Sequence, residues 1–376
     1  MKLERLSSIP GLVLLLASLP VLADEGVLEI NQACATAATG CVAGDGAGFP
    51  VSITQPGSYR LTGDLTPPPA SPEALFVRSN DVTIDLNGFT IRGDQSCSDT
   101  GAVPNVVSCT GTSVSSGILV ESAPTPLRGI VIRNGTIRGV QNGIEGNNAV
   151  GTVVEDLHAI SNAANGIIIG PEGVVRRAST SLNGSDGIKV GNGGRVESST
   201  ASSNALSGIV LGDRGAAADV LSEANTVFGI LGGFDTRVES AAVRSNGSQG
   251  IQLAGGSLVS RAVVSANLGN GIEVSDSGTV ASSISNANGQ NGIQCDDGCR
   301  ITGNAARYNG QNGVEITTGS GVVLENELTN NTGIGLQSAT VSVLYDRNVM
   351  TGYATVGVVG GTSLGGNLCG PVTTTC

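Results

Sequence analysis

The sequence predicts an all-β fold, a right-handed parallel β-helix (β-solenoid) of about twelve coils, mostly 21 residues long and capped at both ends. Three observations predict it. A Gly followed by Ile or Val recurs every 21 residues, an Asn stands four residues ahead of each, and large aromatic residues are nearly absent.

The repeat runs through Gly166, Gly187, Gly208, Gly229, Gly250, Gly271, Gly292 and Gly313. Looser copies sit at Gly117, Gly143, Gly333 and Gly357. The Asn column is Asn162, Asn183, Asn204, Asn225, Asn246, Asn267, Asn288 and Asn309, with Asn330 as its expected continuation. Apolar residues alternate after each Gly, as in Ile251-Gln252-Leu253, which marks a short strand with one buried face. A second strand is expected half a repeat away, at Val175, Val196, Val238, Val259, Val280 and Ile301. Gly, Asn, Ser and Asp between them form turns. Strands of this length at a fixed period, with no helical periodicity, can bury their apolar sides only by stacking as coils. Ile and Val then fill a narrow lumen, the Asn column forms an amide ladder, and each Gly serves a positive φ or a close backbone approach.

Residues 1–23 read as a secretory signal. Lys2 and Arg5 precede an apolar run from Gly11 to Leu22, and Val21-Leu22-Ala23 ends in a cleavable small-residue pattern. The run is short for a membrane span, and no other stretch of the chain is apolar over that length. A periplasmic or secreted location follows. Residues 24–75 are read as an N-terminal cap region with the first strands, 76–360 as the coils, with an inserted loop near 93–117, and 361–376 as a C-terminal cap.

Removal of the signal leaves 17 basic and 30 acidic residues, a formal charge of −13. That charge repels phosphate backbones and anionic lipid, so nucleic acid is not an expected partner. The eight cysteines form four sequence-local pairs, Cys34/Cys41, Cys97/Cys109, Cys295/Cys299 and Cys369/Cys376. An even count behind a signal peptide favours disulfides over metal binding, and His158 is the only histidine. No cofactor is implied, although turn aspartates such as Asp276 are of the type that holds calcium.

The stretch Ile53-Thr54-Gln55-Pro56-Gly57-Ser58-Tyr59-Arg60-Leu61-Thr62-Gly63-Asp64, followed by Val82-Thr83-Ile84-Asp85-Leu86-Asn87-Gly88-Phe89-Thr90-Ile91, resembles the opening of bacterial right-handed β-helix repeat proteins. The Asn-x-x-x-Gly-Ile units resemble their repeats. The resemblance covers nearly the whole mature chain and implies the pectate-lyase-like superfamily, whose members include lyases, glycoside hydrolases, epimerases and adhesins. It therefore implies polysaccharide or cell-surface glycan as the partner, and does not choose between enzyme and binding protein.

Family motifs narrow the choice little. Of the four segments that mark polygalacturonase-like members, only the Asp pair has a counterpart, Asp296-Asp297. The Asp-Pro-His-Glu run of epimerase-like members is absent, and Lys189 is the sole mature lysine. Counting back from each Gly-Ile places Arg133, Asp156 and Arg177 in one column, with Asp85 above, Glu155, Arg176 and Glu197 beside it, and His158 two residues beyond Asp156. Carboxylate, imidazole and guanidinium together could abstract a proton from a uronic acid, and alternating charges also make a structural ladder. Three functions remain: a polysaccharide lyase or hydrolase, a non-catalytic glycan-binding surface protein, and a structural or adhesive subunit. The last should show an apolar stripe outside the rod, for which Ile168, Val210 and Leu231 occupy one outward column, interrupted by Lys189, Gln252 and Glu273.

Overall fold

A computed structural model of the chain describes residues 26–69, 71–101, 105–112, 115–121, 125–354 and 356–370. The signal segment 1–23 lies outside them. The described chain winds into a parallel β-solenoid of about fifteen turns, rather than twelve. At the ~4.8 Å strand spacing this gives a rod of roughly 70 Å. The excess comes from the irregular N-terminal coils and the C-terminal ones. Parallel pairing starts at Val27–Ile30 and continues through Leu368–Cys369.

Each regular coil carries three strands rather than the expected two. In one coil these are Val174–Arg176 on a first face, Ser179–Ser181 on a second and Ile188–Val190 on a third. The first and second faces join in a 26-stranded sheet, and the third forms a 14-stranded sheet. The lumen is dry and aliphatic. Val175, Val196, Val238, Val259, Val280 and Ile301 line the first face, and Ile188, Ile209, Ile230, Ile251, Ile272 and Ile293 the third, all fully buried. The second face has inward Thr180, Ala201, Ser222 and Ser285, too small and polar to show apolar alternation in the sequence. Ser222 and Ser285 satisfy their hydroxyls on the carbonyls of Gly229 and Gly292.

The Asn column forms the expected ladder. Asn162 Nδ2 donates to Asn183 Oδ1 at 2.9 Å, Asn183 to Asn204 at 2.9 Å, and so on to Asn309. Its last member is Asn331, not Asn330, because an extra residue enters the turn ahead of Gly321. Asn330 instead takes a left-handed conformation. A second ladder runs through Asn304, Asn326, Asn348 and Asn367 at the first corner.

At the N-terminus a short helix, Gln32–Thr36, is capped by Asn31 and tied by the Cys34–Cys41 disulfide. Cys295–Cys299 spans one turn. Cys369 is disulfide-bonded too, and its expected partner Cys376 lies outside the described residues. The 93–117 insertion is an antiparallel hairpin, Ser96–Asp99 with Val107–Thr110, bridged by Cys97–Cys109. It lies along the rod as a strap. Both sulfurs face the Asn162 carbonyl, and buried Asn105 donates to the Ala224 carbonyl and accepts from Thr226 Oγ1.

Candidate functional site

The charge ladder on the first face is longer than its sequence candidates. By strand register, Glu29, Arg60, Asp85, Arg133, Glu155, Arg176 and Glu197 form one outward column of alternating sign. Arg60 pairs with Glu29 at 3.4 Å, Arg133 with Asp85 at 3.2 Å and Arg176 with Glu155 at 2.7 Å. Arg133 thus belongs to this column, one place away from Asp156 and Arg177. The turn before Gly143 is one residue shorter than the turn before Gly166, so counting back from the Gly slips by one.

Asp156 and Arg177 stand at the corner between the first and second faces, both with positive φ, and meet in a two-pronged ion pair at 2.7 Å. Hydrogen bonding to Arg177 holds the Asp156 carboxyl below the usual carboxylate range. A carboxylate so held is a weak proton acceptor. His158 lies exposed on the second face between Thr136 and Ser179, with no hydrogen bond to Asp156 among the described residues. The four candidates therefore split into two paired arginines, a paired aspartate and a separate imidazole.

Asp296 and Asp297 diverge. Asp296 accepts from Thr317 Oγ1 at 2.7 Å, whereas Asp297 accepts from the Ser320 amide and hydroxyl, which lowers its pKa. Asp276 accepts the Asp297 amide at 3.1 Å. Among the described residues no group of three or more His, Cys, Asp or Glu side chains is placed to hold a metal.

The outward column of the third face carries a different chemistry. In register it reads Phe76, Leu119, Glu145, Ile168, Lys189, Val210, Leu231, Gln252, Glu273, Gln294, Glu315 and Gln337. Its first half is largely apolar, and its last five rungs are only amides and carboxylates. A neighbouring column ties these together. Gln249 and Asn270 donate to Glu273 Oε2 at 2.9 and 2.8 Å, and Gln252 donates to Oε1 at 3.0 Å. Asn270 and Asn291 both donate to Gln294 Oε1, Asn291 to Glu315 Oε2 at 2.6 Å, and Asn312 to Gln337 Oε1 at 2.8 Å. The five outward side chains are half-buried, so their orientation is fixed while one edge stays in water. Sequence reasoning treated Gln252 and Glu273 as interruptions of an apolar stripe. The signal that marks them is the residue after each Gly-Ile, polar in every coil from Gly250 onward.

No protein-family model matches the sequence, nor does any curated protein. Among solved structures, the A-module of the Azotobacter vinelandii mannuronan C-5 epimerase AlgE6 superposes with a TM-score of 0.56 at 14% identity, covering 85% of this chain and 92% of that one. By fold, the chain is a pectate-lyase-like parallel β-helix. The periplasmic alginate epimerase AlgG aligns with a TM-score of 0.41 at 12% identity, over 80% of this β-helix and 78% of its own length. Pectate lyase Pel9A gives 0.35 at 13% identity, over 79% and 72%. At these identities the likeness is one of fold.

Proposed function

We propose that this β-helix is an exported polysaccharide-binding protein whose platform is the outer side of the third face. The row Gln252, Glu273, Gln294, Glu315 and Gln337 carries the reading. Sugar hydroxyls need both donors and acceptors, and the row supplies both at the ~4.8 Å rung spacing, near the advance of a pyranose unit along an extended glycan. Because Asn270, Asn291 and Asn312 already hold these groups, binding orders few side chains. Half-buried Val210 and Leu231 at one end offer apolar contact to sugar C–H faces in a chain almost without aromatics. Binding is favoured over processing because Asp156, the sequence-selected base, is engaged by Arg177.

The disulfides fit export to an oxidising compartment. The polysaccharide titles of the structural neighbours point the same way in substrate class. A second reading, a structural or adhesive subunit, draws on a different surface. On the second face Leu221, Ala242, Val263, Ile284 and Ala305 stack outward on successive rungs, with Val263 and Ile284 exposed.

The test is affinity electrophoresis of the purified mature chain in a panel of soluble polysaccharides, with ultraviolet absorbance for unsaturated products. The expected result is retardation by at least one glycan, without product, and loss of most retardation in Gln294→Ala/Glu315→Ala at unchanged melting temperature. A chain that binds nothing on the panel and sediments as a defined oligomer supports the subunit reading instead. Product formation abolished by Asp156→Ala or His158→Ala would restore catalysis.

A further inference from the structure

We propose that the corner between the third and first faces holds a second binding site, for an oxyanion carried on a ligand. The inference is independent of the polysaccharide reading, which concerns another surface. A shallow notch of about 400 Å³ is lined there by Arg195, Arg214 and Arg237, with Glu197 and Asp235 at its edge and Gly215 and Ala216 in its floor.

Its construction follows from the register. Arg195, Ala216 and Arg237 are successive rungs of one outward column on the first face. The two arginines therefore stand two rungs apart, roughly 10 Å, with only a methyl group between them. Arg214 enters from the turn, at a left-handed corner residue with φ 56°. Three guanidinium groups thus surround a space that no side chain of the protein fills.

The charge pattern explains why they are there unpaired. The alternating column beside the notch runs from Glu29 to Glu197, and its next place, where a cation would continue the alternation, is Ala218. Arg237 reaches Glu239 at 3.2 Å, but neither Arg195 nor Arg214 forms an ion pair among the described residues. Elsewhere on this strongly acidic chain Arg60, Arg133, Arg176, Arg177 and Arg244 are all paired with carboxylates. Planar guanidinium forks match carboxylate, sulfate and phosphate oxygens in two-pronged geometry, and two exposed forks facing one gap fit such a group. Glu197 and Asp235 keep the excess positive charge small, which suits a single oxyanion rather than a dense polyanion.

Titration calorimetry of the mature chain would use three probes: a hexuronate oligomer, a sulfated hexose oligomer and the unsubstituted hexose oligomer. Arg195→Ala and Arg214→Ala should each weaken the preferred charged probe about tenfold. Arg300→Ala, an exposed arginine of the same face outside the notch, removes the same charge and should change affinity less than about twofold. Arg214→Lys should retain charge yet lose part of the affinity. Preference for hexuronate or for sulfate identifies the oxyanion. Equal loss in Arg300→Ala, equal binding of the unsubstituted oligomer, or no binding of either charged probe overturns the site. The Gln294→Ala/Glu315→Ala chain should keep the oxyanion response, so the failure of either proposal is visible without the other.

Discussion

The glycines of the Gly-Ile units have a single physical reason, and it is contact rather than conformation. None of Gly166, Gly187, Gly208, Gly229, Gly250, Gly271, Gly292 and Gly313 has a positive φ. A Cβ on Gly208 would lie 2.9 Å from the Gly229 carbonyl oxygen and 2.6 Å from the Asn225 amide nitrogen. Gly208→Ala must therefore push one coil off the next and loosen the Asn ladder, at a cost of about 1–3 kcal/mol. Guanidinium unfolding should show an earlier midpoint by a matching amount. The positive-φ positions are filled by residues such as Asp156, Arg177, Ser198, Asp219 and Ser240, a corner column no glycine pattern announces. Asp186 offers a second test at this scale. It is half-buried in a ladder, taking the Asn165 Oδ1 on its amide and the Ser207 amide on its carboxylate, and desolvation raises its pKa. A raised folded-state pKa means stability is fullest below the unfolded carboxylate value and is lost as pH rises through the folded one. Asp186→Asn keeps the acceptor and removes the buried charge. It should stabilise the chain by about 1 kcal/mol at pH 7, the gain fading below about pH 4.

At the scale of elements, the strap along the second corner is the main departure from the repeat. The Cys97/Cys109 pairing and the loop boundaries were legible from cysteine clustering and from the break in periodicity. Its docking was not, because Asn105 meets Ala224 and Thr226 across about 120 residues of chain with no motif to signal it. The strap covers the corner without entering the lumen, so the coils do not need it. Cys97→Ser/Cys109→Ser should leave the main unfolding transition in place and open 96–110 to limited proteolysis. Loss of the whole transition would instead make the strap part of the core. The third strand per coil was hidden for a related reason: Thr180, Ala201, Ser222 and Ser285 face inward on the narrow second face, where larger apolar residues would not fit.

For the whole molecule, the rod follows from the repeat because identical side chains every 21 residues can bury themselves only by stacking. Register errors arose where coil length changes. The shorter turn before Gly143 moved Arg133 out of the Asp156 column, and the longer turn before Gly321 moved the ladder from Asn330 to Asn331. The candidate site was legible only in part, since Gln252 and Glu273 show their role once Asn270, Asn291 and Asn312 are seen to hold the same row. Carbodiimide labelling of carboxylates, read by mass spectrometry with and without the polysaccharide that retards the chain, tests that row directly. Bound glycan should protect Glu273 and Glu315 while Glu172, exposed at another corner, reacts as before. Unchanged labelling of Glu273 and Glu315, with protection appearing instead at Glu155 and Asp156, would contradict the account.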